Sequence, residues 1–428
     1  MKSAFFFLGL AGLVGAAAPA QGWEGQLLID TLPTMALVQE SSSAPWMQEQ
    51  TTEIMAQGAL SQTQPLAEGL SLSGTLWVMA DTLPAASPFS TPAAKIDLQA
   101  RVLELKLGWE AIPGTLIWSV GKEVIHPSSG FFRTPLDVLS RAALAGTANL
   151  SGSATGAWEE GWTGTDLTLL VGSLTVSDTF LPHLTWSPTV DQVLQYVSSQ
   201  QPDWQDLARM DLRVGDADVR LLGLFSTSGL GSTDPAIHFT GGAGLDTSIG
   251  DAFTVRAELS VADTQERITA TSASPPFSFT TEAVAWAPRA LAGFTWTGPD
   301  QLSVMAEYYY NGPGFGGADY AQIISYTQAL RNAPGAGPDL LDQLGAFSAG
   351  QQYAFVRVAG TVEGKVTASA WTAVNLQDLS GLTGVVADYA SSTWSVTASL
   401  VNAWGTTSTE AGLSPLLWKA DLQMSLFL

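Results

Sequence analysis

Cysteine is absent from the 428 residues, which excludes a disulfide framework, cysteine metal sites and thiol catalysis. Charge is scarce as well. Asp, Glu, Lys and Arg make up 13% of the chain, against about 25% in ordinary soluble domains. Basic residues are the scarcer kind: 17 Lys and Arg face 39 Asp and Glu, for a formal net charge of -22. That acidity argues against nucleic-acid binding. Beyond the N-terminus no apolar run approaches the roughly 20 residues of a spanning helix. Histidine is limited to His126, His183 and His238, whose spacing suits no zinc site. His126 beside Ser128 and Ser129 is a chance pairing rather than a triad, because a triad is assembled in space. The glycines around Gly312–Gly317 lack the strand-to-helix setting and the Lys-Ser/Thr of a phosphate loop. The sequence therefore points away from an enzyme and calls for no cofactor and no metal.

What is present is apolar residues in alternation. They make up 46% of the chain, and they recur every second residue, the period of a β-strand. From Trp418 to Leu428, Trp418, Ala420, Leu422, Met424, Leu426 and Leu428 share one face, opposite Lys419, Asp421, Gln423, Ser425 and Phe427. Segments 253–261, 302–310, 366–374 and 394–400 repeat the pattern, and 96–109 follows it with a slip of phase at Val102–Leu103 that a β-bulge explains. An apolar chain without long apolar runs hides its surface when every strand turns one face to lipid, as in a transmembrane β-barrel. A soluble, secreted β-protein is the competing reading of the alternation alone.

The connections favour the barrel. Tight turns rich in Gly, Pro, Asp, Asn and Ser fall at 111–114, 215–217, 248–250, 298–300, 363–364 and 389–392. Long connections fall at 126–146, 176–205, 264–278 and 311–350. Counted back from the C-terminal strand, short turns fall on one side and long loops on the other, the asymmetry of outer-membrane barrels. The strands so drawn run 69–81, 94–110, 114–125, 147–158, 163–175, 206–214, 218–227, 236–247, 251–263, 279–297, 301–310, 351–362, 365–376, 383–389, 393–403 and 416–428. The expected fold is an all-β, transmembrane antiparallel barrel of about 16 strands, within 14–18.

Three parts are expected along the chain. Residues 1–20 read as a signal peptide, with Lys2, an apolar core over Phe5–Val14 and an Ala18-Pro19-Ala20 cleavage site. Residues 21–68 read as a periplasmic or plug-like segment. Their stretch 31–68 does not alternate, carries a weak helical patch around Trp46–Met55, and equally fits one more irregular strand pair. Residues 69–428 read as the barrel. Asp319–Asn332 and Pro338–Leu344 read as short helices in the longest loop. Trp109, Trp118, Trp286, Trp296, Trp404 and Trp418 fall near strand ends, where an interfacial aromatic girdle belongs.

Charges on the polar phase must face a lumen, since a charge facing lipid at mid-depth costs about 2–4 kcal/mol. Candidates for pore lining or constriction are Arg101, Lys106, Lys122, Glu123, Arg133, Asp137, Arg213, Arg220, Arg256, Glu258, Glu307 and Arg357. They either set selectivity through a transverse field or brace the wall as cross-strand pairs.

The run Val120–Leu139, VGKEVIHPSSGFFRTPLDVL, resembles a motif of large porin-like outer-membrane barrels: a Gly-Lys-x-x-Ile strand end, an aromatic, then Pro-Leu-Asp-Val. Ala306–Phe315, AEYYYNGPGF, is similar to that group's strand end and loop entry. The chain departs from the group in having His126-Pro127 after Ile125 and in ending on Leu428, with Phe427 one place early. The resemblance implies a loop folded against the barrel mouth or wall, with Arg133 and Asp137 near the pore. The function expected is passive diffusion of small solutes through a charged lumen in a bacterial outer membrane. The alternatives are a plugged transporter for hydrophobic compounds and a non-conducting surface-binding barrel. Expected partners are outer-membrane lipid and the barrel-assembly machinery; the sequence carries no signal for an oligomer interface.

Overall fold

The computed structural model describes residues 23–37, 48–83, 95–123, 125, 131, 134–136, 162–182, 204–228, 236–272, 278–331, 349–362, 364–406, 408–413 and 418–427. The strands are β1 Trp23–Leu37, β2 Gln48–Ala67, β3 Leu70–Leu83, β4 Lys95–Ile112, β5 Leu116–Glu123, β6 Trp162–Val171, β7 Leu174–Pro182, β8 Trp204–Val214 and β9 Ala217–Ser228. They continue as β10 Ala236–Ile249, β11 Phe253–Ser272, β12 Ser278–Thr297, β13 Ser303–Asn311, β14 Gln352–Val362, β15 Val366–Asn375, β16 Gly381–Ala390, β17 Trp394–Trp404 and β18 Trp418–Phe427. One helix, α1 Gly317–Arg331, is described, in the β13–β14 connection.

Every strand pairs antiparallel with its sequence neighbour, as β8 does with β7 and β9. The last strand also pairs with the first, from Gln26↔Phe427 to Thr31↔Leu422. Backbone polar groups are thus satisfied strand to strand, the requirement for crossing hydrocarbon without helices. Tight turns follow the even-numbered strands from β2 to β16. Gly114, Gly172, Gly215, Gly250 and Gly364 sit in them with φ between 61° and 68°, a left-handed conformation that glycine adopts without steric cost.

Several expectations shift. Strands β3 to β18 number sixteen, and the β1–β2 hairpin makes eighteen, the top of the expected range. Within the stretch 31–68, residues 31–37 and 48–67 belong to β1 and β2, which pair along their length. No plug or helix lies there among the described residues, because Gln48–Met55 is strand. The single strand expected over 163–175 is two, β6 and β7, split at Gly172-Ser173, and β7 takes up the start of the expected loop 176–205. The bulge in β4 is present: Glu104 pairs with Thr75 and Val102 with Leu76, passing over Leu103. The strand expected at 147–158, the helix at 338–344 and the signal at 1–20 lie outside the described residues.

The outer face is apolar. Leu105, Trp118, Leu167, Val176, Phe225, Leu245, Leu259, Phe294, Val356, Val385, Leu400 and Leu422 are all exposed large side chains on outward phases. Trp109 and Trp118 meet edge to face at 6.5 Å beside the β4–β5 turn. The Trp118 indole N–H donates to Thr165 Oγ1 at 2.8 Å and that of Trp404 to Thr383 Oγ1 at 3.0 Å. Each indole thus has a partner on the adjacent strand, as a polar hydrogen near lipid requires.

Candidate functional site: the lumen and the loop that crosses it

The inward phase begins with charged residues locked in pairs. Lys106 on β4 pairs with Glu123 on β5. Arg209 reaches Asp211 at 2.9 Å, and Arg220 reaches Asp246 at 2.8 Å, with Asp211 3.9 Å away. Arg256 on β11 donates to Glu307 on β13 at 3.3 Å and to Thr295 Oγ1 at 3.0 Å. Glu307 and Glu258 are buried. Gly293 pairs with Glu307 across β12–β13, and a Cβ there would meet Glu307 Cγ at 2.7 Å. Only glycine leaves room for the carboxylate to lie flat on the wall.

Large apolar residues also point inward, and these decide where the loop after β5 goes. Tyr309, Tyr353, Phe355, Trp371 and Leu291 form one buried cluster on β12–β15, with Phe131 packed against it. Leu181, Leu207, Leu222 and Leu224 form a second on β7–β9, capped by Leu136. Bare in a water-filled lumen, each patch would forfeit about 25 cal/mol per Å² of apolar area. The loop covers both. The Phe131 ring lies 5.4 Å from that of Phe355 and 5.0 Å from the Arg357 guanidinium carbon. Its backbone N–H donates to Glu307 at 3.1 Å. Leu136 is fully buried, and it sits where a Cβ on Gly242 or Gly244 of β10 would meet it at 2.6 or 2.7 Å. From β5 to β13 is eight steps in a cycle of eighteen strands, so the loop crosses to nearly the opposite wall.

The predicted site residues sort as follows. Lys106, Glu123, Arg220, Arg256, Glu258, Glu307 and Arg357 stand on the inward phase of the sheet, and Arg256, Glu307 and Arg357 gather at Phe131. Arg213 is exposed beside the β8–β9 turn, 3.9 Å from Asp218, and so belongs to the rim. Lys122 stands instead on the phase of Trp118 and Val120, and its ammonium reaches the Val102 carbonyl at 2.7 Å. The chain enters β5 with Ser119, Gly121 and Glu123 turned inward, which leaves the even positions to lipid. Arg133, Asp137 and the side chain of Arg101 lie outside the described residues. Phe131 is the aromatic of the Val120–Leu139 motif, whereas Leu136 and the glycines that seat the loop carry no charge to mark them in the sequence.

A second constellation lies at the long-loop end, built from residues that the sequence does not single out. Glu410, between β17 and β18, is buried. It accepts from the Ala349 N–H, from the Tyr353 hydroxyl at 3.0 Å and from Asn375 Nδ2. Asp378, between β15 and β16, accepts from the Glu410 N–H and the Tyr320 hydroxyl of α1, both at 2.6 Å, and from the Ser380 hydroxyl at 2.8 Å. Gln377 accepts from the Gln351 N–H and donates to the Phe315 carbonyl at 3.1 Å. Apolar contacts of Phe315, Tyr320, Ile323 and Ile324 with Leu413 complete the joint. Burial, followed by the neighbouring acids Glu410 and Asp378, holds the Tyr320 hydroxyl well above the usual phenol range, so it stays a donor.

No family model and no curated protein matches the sequence. Among solved structures the chain is similar to OccK8 (OprE) of Pseudomonas aeruginosa, with TM-score 0.52 and 10% identity over 95% of this chain and 98% of that one. The chain has a porin-like β-barrel fold. A Rh. blastica porin variant is also similar, at TM-score 0.45 and 10% identity over 95% of this chain and 99% of that one. At this identity the barrel is shared as an architecture, and its lumen residues are this chain's own.

Proposed function

We propose that the protein is an outer-membrane channel for passive diffusion of small solutes, narrowed by the loop that follows β5. One observation carries the reading: Phe131 is anchored on the far wall of an apolar-faced barrel and Leu136 on β7–β10, which supports a loop that narrows the lumen. Arg256, Glu307 and Arg357 border that crossing and are the residues we assign to its electrostatics. Arg133 and Asp137 are proposed to join them from the same loop. Residues 1–20 are read as an export signal cleaved near Ala20, the location as a bacterial outer membrane, and the assembly route as the barrel-assembly machinery.

The test is planar-bilayer conductance of the refolded mature protein, with heat-modifiable gel migration as the folding control. Stepwise ohmic conductance is expected, and Ala at Arg133 and Asp137 should change its size or ion selectivity. A folded barrel that never conducts would favour a non-conducting surface protein. The strands β1 and β2, which take up 31–37 and 48–67, support the channel over the plugged transporter.

A further inference from the structure

The joint at the long-loop end is built around two acids, Glu410 and Asp378, and the described groups that act on Glu410 include no base. Its surroundings can be enumerated. From β14 comes the Tyr353 hydroxyl, from the chain before β14 the Ala349 N–H, from β15 Asn375, and from the β15–β16 loop Asp378. From α1 comes Tyr320, which donates to Asp378 and accepts from Asn375 Nδ2 at 2.8 Å. Arg267 of β11, which reaches the Phe315 ring of this joint at 4.5 Å, is paired with Glu282 at 2.9 Å. A carboxylate taken out of water beside another carboxylate, with hydrogen bonds but no counter-charge, is penalised in its charged form.

We propose that this joint is a proton-operated clamp on the channel mouth: protonated Glu410 keeps the three loops docked, and its ionisation releases them. The direction follows from linkage. Burial, reinforced by Asp378, pushes the Glu410 carboxyl above the usual range despite its hydrogen bonds. The docked state therefore binds the proton more tightly than a released, solvated loop. Docking is strongest at low pH and weakens as pH rises through the docked-state value. Release reaches the pore through Tyr353, whose hydroxyl holds Glu410 and whose ring belongs to the aromatic cluster under Phe131.

Hydrogen exchange of the full mature barrel, corrected for the intrinsic effect of pH, reads docking at the Ala349 and Ala411 amides without requiring conductance. The expected result is a loss of protection near pH 8 relative to pH 5, the sign set by a carboxyl that binds its proton more tightly when docked. Glu410→Gln should keep the joint protected at both values. Tyr353→Phe, which removes a donor to the carboxylate, should release it at lower pH than wild type. A merely structural role would loosen both variants alike. Equal protection at both pH values in the wild type, or an unchanged pH profile in Glu410→Gln, overturns the proposal. In bilayers the released state should appear as noisier traces. A wild-type barrel that is silent yet shows the exchange profile would sink the channel reading and leave the clamp standing.

Discussion

Glu307 does three things at once. It accepts the Arg256 guanidinium, accepts the Phe131 N–H, and lies in the space that Gly293 leaves. Removing one partner of a buried ion pair strands the other, at a cost of about 3–5 kcal/mol. Glu307→Gln is accordingly expected to lower stability by about that much, read as the urea midpoint of the barrel in vesicles, and to raise single-channel conductance as Phe131 comes loose. An unshifted midpoint would mean that Arg256 finds another acceptor. Gly242→Val tests the other anchor with little change in charge or strand pairing. Its side chain would enter the volume held by Leu136. We expect the loop to be expelled from that seat and conductance to rise while heat-modifiable migration is retained. A barrel with wild-type conductance would show that Leu136 does not limit the pore.

At the scale of the strand, alternation was readable wherever one face meets lipid and the other water. The bulge in β4 was legible as a phase slip, and the Tyr309–Glu307–Met305 face of β13 was legible as the inward one. The hairpin β1–β2 was not, since β2 carries Gln, Glu and Thr on both phases and β1 contains Pro33. Strand β7 was missed for a more specific reason. Asp178 lies on the outward phase between Val176 and Phe180 and pairs with Leu167 and Ala208. An acid among lipid-facing residues erases the apolar stripe that identifies a strand. It should also weaken the wall, because charge on that face is unfavourable within the hydrocarbon. Asp178→Leu is expected to raise the urea midpoint of the vesicle-embedded barrel, and a lowered midpoint would place that face against something other than lipid. Of the candidate site, the charges could be found by phase, but the loop seating could not. It depends on which inward apolar patches need cover, and that emerges only once β7–β9 and β12–β15 are curved toward the loop.

The whole molecule carries more than two acids for every base. Many described inward bases are already matched by acids: Lys106 by Glu123, Arg220 by Asp246, Arg256 by Glu307. The surplus is therefore negative, and the open channel should prefer cations. Screening shortens the reach of such charges from about 10 Å at 0.1 M salt to about 3 Å at 1 M. The reversal potential in a salt gradient should therefore favour cations strongly in dilute salt and weakly in concentrated salt. A preference that ignores salt would instead locate selectivity in close contacts at the loop crossing.

The seam between β1 and β18 has a kinetic consequence. Its partners, such as Thr31 and Leu422, are roughly 390 residues apart along the chain, and bringing together ends so distant costs on the order of 5 kcal/mol of chain entropy. The other pairings, each between consecutive strands, close far shorter stretches and can form as hairpins in succession. The seam is then the last contact made and the first surrendered, and until it forms the nascent sheet has two open flanks. Whatever receives this chain at the membrane must shield those flanks throughout, so insertion and cyclisation become a single event timed by the arrival of β18.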